Sequence, residues 1–372
     1  MTYEVKIACS DASFRELEDG WNRLLDEAAD ANTFMSHAWL ESWWTAYRPA
    51  ATLCILLAVR EGTVCGIAPM MLCRGRRAGR LLRCLRFIGD GTSETDHMNF
   101  VVKAGERREA LAALLNAIDG LSWDVAHFSQ MPKESDNTRQ LLEFASSKGW
   151  LIGSSEVPCP RRMLPGSYEE LVGSLPSRLR TAIRSARRAL EQNHAVEFGS
   201  CATVGELPGC LEALFRNHES RWRGKGKQGV FVDMRKREFY SKLASRLLGS
   251  GTLRFFHLKL DGSVVAQQFC FQHGDTVFLL QEGFDFEHAN LNVGNVLRLM
   301  VFEHLISNRV RQYDFLAGTS RHKQSWSDAA PFDINVRACR PSIRGRTAHY
   351  VPLWATAARR FAKRWRSRAV SS

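Results

Sequence analysis

Long hydrophobic runs are absent from this sequence. The longest unbroken apolar runs, such as Leu53–Val59, fall far short of the roughly 20 residues that a membrane-spanning helix needs. The opening residues, MTYEVKIACSD, are polar and lack the basic-then-apolar order of a secretory signal. We therefore expect a cytoplasmic protein that does not span a membrane.

Metal-finger and disulfide patterns are also missing, although the chain has ten cysteines. None of these cysteines forms a C-x-x-C pair, and no histidine pair stands at metal-finger spacing. Several lie inside apolar runs, where cysteine behaves as a small hydrophobic residue. The sequence thus predicts reduced thiols and no metal site.

Several catalytic signatures are lacking as well. The sequence contains no G-x-S-x-G and no G-x-x-x-x-G-K-[ST]. Serine hydrolases and P-loop enzymes therefore lose support.

What is abundant is positive charge. The 372 residues include 51 Lys and Arg against 39 Asp and Glu, which gives a net charge of +12, and 40 of the basic residues are Arg. Such a surface attracts nucleic acid, anionic lipid or phosphorylated ligands. A high Arg content also follows from genome base composition, so the charge alone does not identify a partner.

The chain is long enough for two domains, and its two halves echo each other. The hairpin AVREGTVCGIAP has the same layout as LKLDGSVVAQQF 200 positions later, and each is followed by a helix and a strand. We predict an α/β (α+β) protein of two tandem halves, each a mixed, mostly antiparallel sheet flanked by helices. The expected segments are an N-terminal half 1–157, a linker 158–176, a C-terminal half 177–335 and a tail 336–372.

The segment DFEHANLNVGNV follows a predicted strand and opens a predicted helix. The first N–H groups of a helix lack internal partners, and the helix dipole adds partial positive charge there. The sequence therefore predicts a phosphate-binding helix start at Asn292, Val293, Gly294, Asn295 and Val296, although a plain helix start fits the same residues.

Polar residues also gather where two predicted strands end. Glu282 closes one strand, and DFLAGTSRHKQSW places Asp314, Lys323 and Trp326 after another. A carboxylate near the centre of a sheet can act as a general base if burial raises its pKa. The alternatives are a strand-end cap for Asp314 and a solvated charge for Lys323.

The C-terminal segment Trp354–Arg368 places its aromatic residues on one helical face and most of its Lys and Arg elsewhere. This pattern is typical of a helix on an anionic membrane surface. A surface helix that docks its tryptophans on the domain fits equally well.

The order LKLDGSVVAQQF, FLLQEGFDFEHANLNVGNVL, YDFLAGTSRHKQSW resembles the CelD-like acetyltransferases of the GNAT superfamily, a group associated with cellulose biosynthesis. The upstream basic helix SLPSRLRTAIRSARRALEQ, the pair Arg221-Trp222 and the Trp-rich FMSHAWLESWWTAY are similar to that family too. The chain departs from the family at His322, where Tyr is usual, and at Val293, where Pro or Ser is common.

The resemblance implies a duplicated GNAT-like fold related to FemAB-type transferases, with acetyl-CoA or another acyl-CoA held between two splayed parallel strands. It implies direct acyl transfer, without a metal, to an amine or hydroxyl of a small-molecule, saccharide or lipid acceptor in envelope or exopolysaccharide metabolism. Glu282 or Asp314 would be the base, and Lys323 would orient the acceptor. Arg221, Trp222, His322 and Trp326 would contact the substrate.

Two other functions remain open on the sequence. One is a FemAB-like aminoacyl transferase that uses aminoacyl-tRNA. The other is a non-catalytic basic protein that binds nucleic acid or lies peripherally at the inner face of the membrane. Nucleic acid is the weaker partner, because basic strands interleaved with aromatic residues are missing.

Overall fold

The computed structural model describes residues 3–77, 80–224 and 226–350. The strands, in chain order, are β1 (Glu4–Ala8), β2 (Ala51–Arg60), β3 (Thr63–Arg77), β4 (Arg80–Phe87), β5 (Val101–Val102), β6 (Val125–Pro132), β7 (Leu151–Pro158), β8 (Arg161–Met163), β9 (Val196–Ser200), β10 (Leu253–Leu260), β11 (Ser263–His273), β12 (Thr276–Phe284), β13 (Gln312–Asp314) and β14 (Phe332–Cys339). The α-helices are α1 (Asp11–Glu16), α2 (Glu18–Glu27), α3 (His37–Tyr47), α4 (Arg107–Gly120), α5 (Asp136–Ser147), α6 (Tyr168–Ser174), α7 (Ser177–Asn193), α8 (Leu207–Arg223), α9 (Met234–Gly249), α10 (Val293–Ser307) and α11 (Arg321–Trp326).

The chain forms two compact units. Of the described residues, unit 1 takes those up to His37, those of the segment Arg48–Val157 and those from Phe332 onward. Unit 2 takes Ala38–Tyr47 and Pro158–Pro331. Each unit therefore contains a piece of chain that is remote in sequence from the rest of it.

The sheet of unit 1 has the strand order β1-β2-β3-β4-β6-β14-β7, and β5 pairs with β3. Neighbours in the run from β1 to β4 are antiparallel, whereas β4 and β6 are parallel. The sheet of unit 2 has the order β8-β13-β12-β11-β10-β9, with β12 and β13 parallel. The expected fold class, two halves that each contain a mixed sheet flanked by helices, is confirmed.

The two units share the conformation of their first long hairpin. Glu61 and Gly62 have φ values of 51° and 77°, and Asp261 and Gly262 have φ values of 51° and 79°. Positive φ at both central residues is the type I′ geometry that suits a two-residue hairpin. The matching turns, 200 residues apart, support the internal duplication.

A β-bulge follows each of these turns at the same place. The register shifts leave Cys65 as the extra residue of β3 and Val265 as the extra residue of β11. Bulges are specific features that bend a strand and increase its twist. Their recurrence at positions 65 and 265 extends the similarity of the units beyond the turn.

The next hairpin distinguishes the units. In unit 2 the register between β11 and β12 shifts so that Leu280 is an extra residue between Leu279 and Gln281. In unit 1 the recorded pairs between β3 and β4 continue without a shift. Only unit 2, among the described residues, thus has a bulge at this position.

The domain boundaries differ from those expected. The supposed linker 158–176 contains β8 and α6, and its Leu171 and Val172 are buried in the core of unit 2. The supposed tail begins inside β14, which pairs with β6 of unit 1. The prediction was wrong because it divided the chain in sequence order, whereas each sheet contains a strand that pairs with a strand far away in the sequence. The tail helix Trp354–Arg368 lies outside the described residues.

Helix α10 is the central helix of the core of unit 2. Its Val293, Val296, Leu297, Val301 and Leu305 are buried there. Among the described residues, no helix combines the length and the apolar character that crossing a membrane requires.

Strand β12 packs very closely on α8 at Gly283. A Cβ at this position would lie 3.1 Å from the backbone N of His218 and 3.2 Å from the carbonyl O of Leu214. Neither backbone atom can turn aside as a flexible side chain could, so glycine lets the strand and the helix meet.

We predict that Gly283→Ala lowers the free energy of unfolding by about 1–3 kcal/mol, because the methyl group overpacks this contact. The control is Gly153→Ala in β7, where a Cβ meets nothing within 4 Å. Urea unfolding of both variants measures the difference. Equal stabilities would show that the close approach places no constraint on residue 283.

Candidate active site

The parallel strands β12 and β13 separate after a short contact. They pair only from Thr276 to Phe278 on the β12 side, and β13 ends at Asp314. Beyond it the chain follows the β8 side of the sheet, where the Phe315 N–H donates to Pro160 O at 2.9 Å. The second half of β12 therefore borders a wedge instead of a neighbouring parallel strand.

A pocket of about 220 Å³ lies at the end of β12, beside the start of α10. Its lining combines side chains from α8, β12, α10 and α11 with the turn that precedes α10. The lining residues are Arg221, Glu282, Gly283, Phe284, Ala289, Asn292, Val293, Gly294, Asn295 and His322. Seven predicted site residues are thus brought together in one place, from segments as far apart as positions 221 and 322.

The start of α10 forms one wall of the pocket. Asn292 has a left-handed conformation with φ of 59°, and its side chain accepts from Asn295 Nδ2 at 2.7 Å instead of capping the helix. The partial positive charge of the helix terminus is therefore left for a ligand.

Glu282 is the centre of a charged cluster in the pocket. Its carboxylate accepts a hydrogen bond from the Arg298 guanidinium, and Arg221 Nη1 lies 3.6 Å from Oε1. His322 Nε2 lies 3.4 Å from the same oxygen. Burial favours the neutral acid, but the charge of Arg298, with His322 and Arg221, holds the pKa of Glu282 well below its usual range.

Arg298 was not predicted, yet it positions the whole cluster. It is fully buried on α10, with its guanidinium carbon 5.2 Å from the ring centre of Phe315 and 5.7 Å from that of Trp326. The guanidinium also contacts His322. The charge itself was an available signal, since Arg298 interrupts the apolar stretch Val296–Phe302 and charged residues are seldom buried without a partner.

His322 is the titratable group of the pocket that is neutral near pH 7. Burial and the neighbouring charge of Arg298 lower its pKa, although Glu282 opposes this effect. About a third of its side chain is exposed. A neutral imidazole can accept a proton, and here Nδ1 is the nitrogen for a ligand, because Nε2 lies against Arg298 and Glu282.

Two predicted catalytic residues do not line the pocket. Asp314 is buried, and its carboxylate accepts from Arg161 Nε at 2.6 Å and from the Leu316 N–H at 2.7 Å. Lys323 Nζ donates to the carbonyl oxygens of Leu316 and Ala317 at 3.1 and 2.7 Å. Both side chains hold the loop after β13. Asp314 thus fits the alternative of a strand-end cap, whereas Lys323 bonds backbone carbonyls and does not fit that of a solvated charge.

Three other predicted contacts lie behind the pocket wall. Trp326 is fully buried and donates from Nε1 to Asn295 Oδ1 at 3.0 Å. Trp222 donates from Nε1 to His218 Nε2 at 2.9 Å, and Val296 is buried in the core. Trp326, Trp222 and Val296 thus lie behind the lining residues and do not line the pocket themselves.

The corresponding position of unit 1 has different chemistry. Helix α4 is preceded by Glu106, whose carboxylate accepts from Tyr3 Oη at 2.6 Å and from Arg60 Nη2 at 2.7 Å. A carboxylate at this helix start opposes the binding of phosphate. Together with the continuous register of β3 and β4, this assigns the candidate site to unit 2.

A second cleft of about 900 Å³ lies on the α8 side of unit 2. Its walls are the polar face of α8, the start of β11 and the residues that follow β12. They include Arg216, Arg223, Ser263, Glu287 and His288. The cleft is larger and more open than the pocket at Glu282.

Comparison with known proteins supports a GNAT assignment for this part of the chain. Residues 177–324 match the family model described as an acetyltransferase (GNAT) domain. The match contains the whole pocket at Glu282 and supports an acyltransferase. A search of curated proteins found no match to the chain.

Solved structures show the same fold at low sequence identity. The crystal structure of FemX has a TM-score of 0.60 at 12% identity, with 85% of this chain and 95% of that chain covered. A conserved protein of unknown function from Bacteroides thetaiotaomicron has a TM-score of 0.55 at 14% identity, covering 90% and 100%. L-PGS from Bacillus licheniformis has a TM-score of 0.50 at 11% identity, covering 87% and 93%. At these identities the likeness concerns the fold alone.

His218, beneath the pocket on α8, makes the stability of the site depend on pH. Burial, together with the charges of Arg221 and Lys236, lowers its pKa from 6.5 to about 4. Between these two values the unfolded chain binds more protons than the folded one. We predict that the free energy of unfolding falls as the pH drops from 6.5 to 4, and that His218→Gln makes this fall shallower. Urea titrations across this range measure it, and equal slopes would contradict the assignment.

Proposed function

We propose that the protein is an acyltransferase of the CelD-like group that takes an acyl group from acetyl-CoA or another acyl-CoA. The observation that carries the proposal is the pocket at the end of β12, where an uncapped helix start meets the Glu282–His322 pair. The start of α10 suits the binding of phosphate, and the Glu282–His322 pair suits proton transfer.

The pocket residues suit a phosphorylated thioester. The pyrophosphate would bind at the first turn of α10, where Gly294 lets it approach the backbone. A Cβ at Gly294 meets only Phe284, at 3.5 Å, so space for a ligand lies beside it. The bulge at Leu280 takes one residue of β12 out of the regular ladder, which offers backbone groups to polarise the thioester carbonyl.

In the proposed reaction, an amine or hydroxyl of the acceptor forms a bond to the acyl carbon, and the thioester C–S bond breaks. The acceptor's proton goes to the neutral imidazole of His322, and from there to the leaving thiolate. Glu282 remains ionised beside the imidazole and stabilises its protonated form. A carboxylate with a lowered pKa is a weak base, so in this proposal His322 is the base and Glu282 positions it.

The acceptor would enter from the side of the 900 Å³ cleft, whose polar walls suit a hydrophilic group. We propose a saccharide, lipid or small-molecule acceptor in envelope or exopolysaccharide metabolism, with the protein in the cytoplasm. An aminoacyl-tRNA donor is the alternative. Mass spectrometry of the purified protein for a bound CoA thioester, with binding assays against acetyl-CoA and charged tRNA, separates the two.

We predict that Gly294→Val weakens acetyl-CoA binding at least tenfold while the protein stays folded, because the added methyl groups occupy the phosphate position. Gly173→Val in α6 is the control, since a Cβ there meets nothing within 4 Å. Calorimetric titration with acetyl-CoA measures both variants. Wild-type affinity in Gly294→Val would exclude the start of α10 as the phosphate site.

We predict that His322→Asn reduces the transfer rate by about 10²–10⁴-fold, as expected for the loss of a general base. The wild-type rate should fall as the pH drops through the lowered pKa of His322, below 6.5, and the variant should lack this limb. Rate–pH profiles of wild type, His322→Asn and Glu282→Gln measure this. If Glu282→Gln abolishes activity and His322→Asn retains both rate and profile, Glu282 is the base instead.

A further inference from the structure

Unit 2 exposes four large apolar side chains at one end of α8. Val230, Val232 and Met234 belong to the connection between α8 and α9 and are 39%, 50% and 68% exposed. Phe286, in the short turn after β12, is 42% exposed. We call these four residues the apolar tip. Single exposed apolar residues are ordinary, but a group of them on one connection marks an interaction site.

The apolar tip is held in place by the fold. Phe231, between the two exposed valines, is fully buried, and its ring centre lies 4.5 Å from that of Phe215 and 5.0 Å from that of His218. Because the Phe231 ring is packed in the core, its neighbours Val230 and Val232 face the solvent. Exposure at these positions is a property of a fixed backbone.

Phe286 joins this surface through Gly224, the residue that ends α8. A Cβ at Gly224 would lie only 2.7 Å from the Phe286 ring. The ring therefore lies against the same helix end from which the exposed connection starts. This contact places Phe286 beside the first residues of that connection.

Cations are frequent on the connection that carries Val230, Val232 and Met234. Residues 223–237 include six Lys or Arg and one acidic residue. That acid, Asp233, is neutralised by Arg235 at 2.7 Å, whereas Arg223 and Lys227 are exposed. Cations thus outnumber acids on the connection itself, whereas Arg237 is paired with Glu212 and Glu219, and Asp285 and Glu287 stand on either side of Phe286 in the sequence.

We propose that the apolar tip and its flanking cations dock unit 2 on an anionic lipid bilayer. Insertion of aliphatic side chains at the acyl boundary, with Lys and Arg at the level of the anionic headgroups, is how peripheral proteins bind such surfaces. A nucleic acid fits less well, because it is bound by stacking on aromatic rings and the connection presents aliphatic side chains. A second copy fits less well too, because the two cationic rims would repel each other.

The docking surface adjoins the route to the site. Arg223, at its edge, also lines the 900 Å³ cleft, as do Glu287 and His288 beside Phe286. A lipid-linked acceptor would thus reach the cleft from the bilayer. This last consequence rests on the proposed function, whereas the docking itself does not.

The test is co-sedimentation of the full chain with vesicles of phosphatidylglycerol and phosphatidylcholine, against vesicles of phosphatidylcholine alone. We expect binding to the anionic vesicles that weakens with salt, and a loss of about tenfold or more in Val232→Asp/Met234→Asp, which opposes both insertion and charge attraction. The matched control is Val204→Asp, because Val204 is 69% exposed just before the opposite end of α8. All variants keep the C-terminal tail, so its contribution is constant.

Val232→Trp supplies a local readout. Brominated lipids should quench the fluorescence of the tryptophan introduced at position 232. They should not quench the fluorescence of the tryptophan introduced by Val204→Trp. Equal binding of the double variant and wild type, or equal loss in Val204→Asp, would overturn the proposal. Binding to DNA that the double variant loses, without any binding to vesicles, would assign the surface to nucleic acid instead. Acetyl-CoA binding, measured on the same variants, separates failure of docking from failure of the proposed catalytic site.

Discussion

The buried ion pair between Glu282 and Arg298 is the constraint on which the site of unit 2 depends. Taking both charges out of water is costly, and the cost is offset only when both partners are present and further contacts are made. The Arg298 guanidinium carbon lies 5.2 Å from the ring centre of Phe315 and 5.7 Å from that of Trp326, and Arg221 and His322 lie beside the carboxylate. Loss of Glu282 would leave the fully buried charge of Arg298 uncompensated beside two aromatic rings, so β12, α10 and the loop after β13 are held in one arrangement.

The two units show how one fold supports different roles. They share the strand order from β1 to β4 and from β9 to β12, the same turn geometry and the same first bulge. They differ at the second hairpin, where unit 2 has the Leu280 bulge, and at the helix start, where unit 1 has Glu106. These are small local changes, yet they alter the chemistry at the place where the parallel strands separate.

Local sequence was sufficient for much of this structure and insufficient for the rest. The Asp261-Gly262 turn, the start of α10 and the position of Glu282 depend on residues close in sequence, and these features were predicted. The role of Asp314 depends on Arg161, which is 153 residues away, and no local pattern identifies that partner. The domain boundaries failed for the same reason, since β8 and β14 pair with strands that lie far from them along the chain.

The position of β14 has a consequence for the order of folding during synthesis. Strand β14 pairs with β6, yet the whole segment Pro158–Pro331 of unit 2 is translated between them. The sheet of unit 1 therefore remains incomplete until the ribosome has passed residue 339, when all strands of unit 2 are already made. Domains usually fold in the order of their synthesis. Here the second unit can complete its sheet before the first, and the open edge of β6 has to avoid other partners in the meantime.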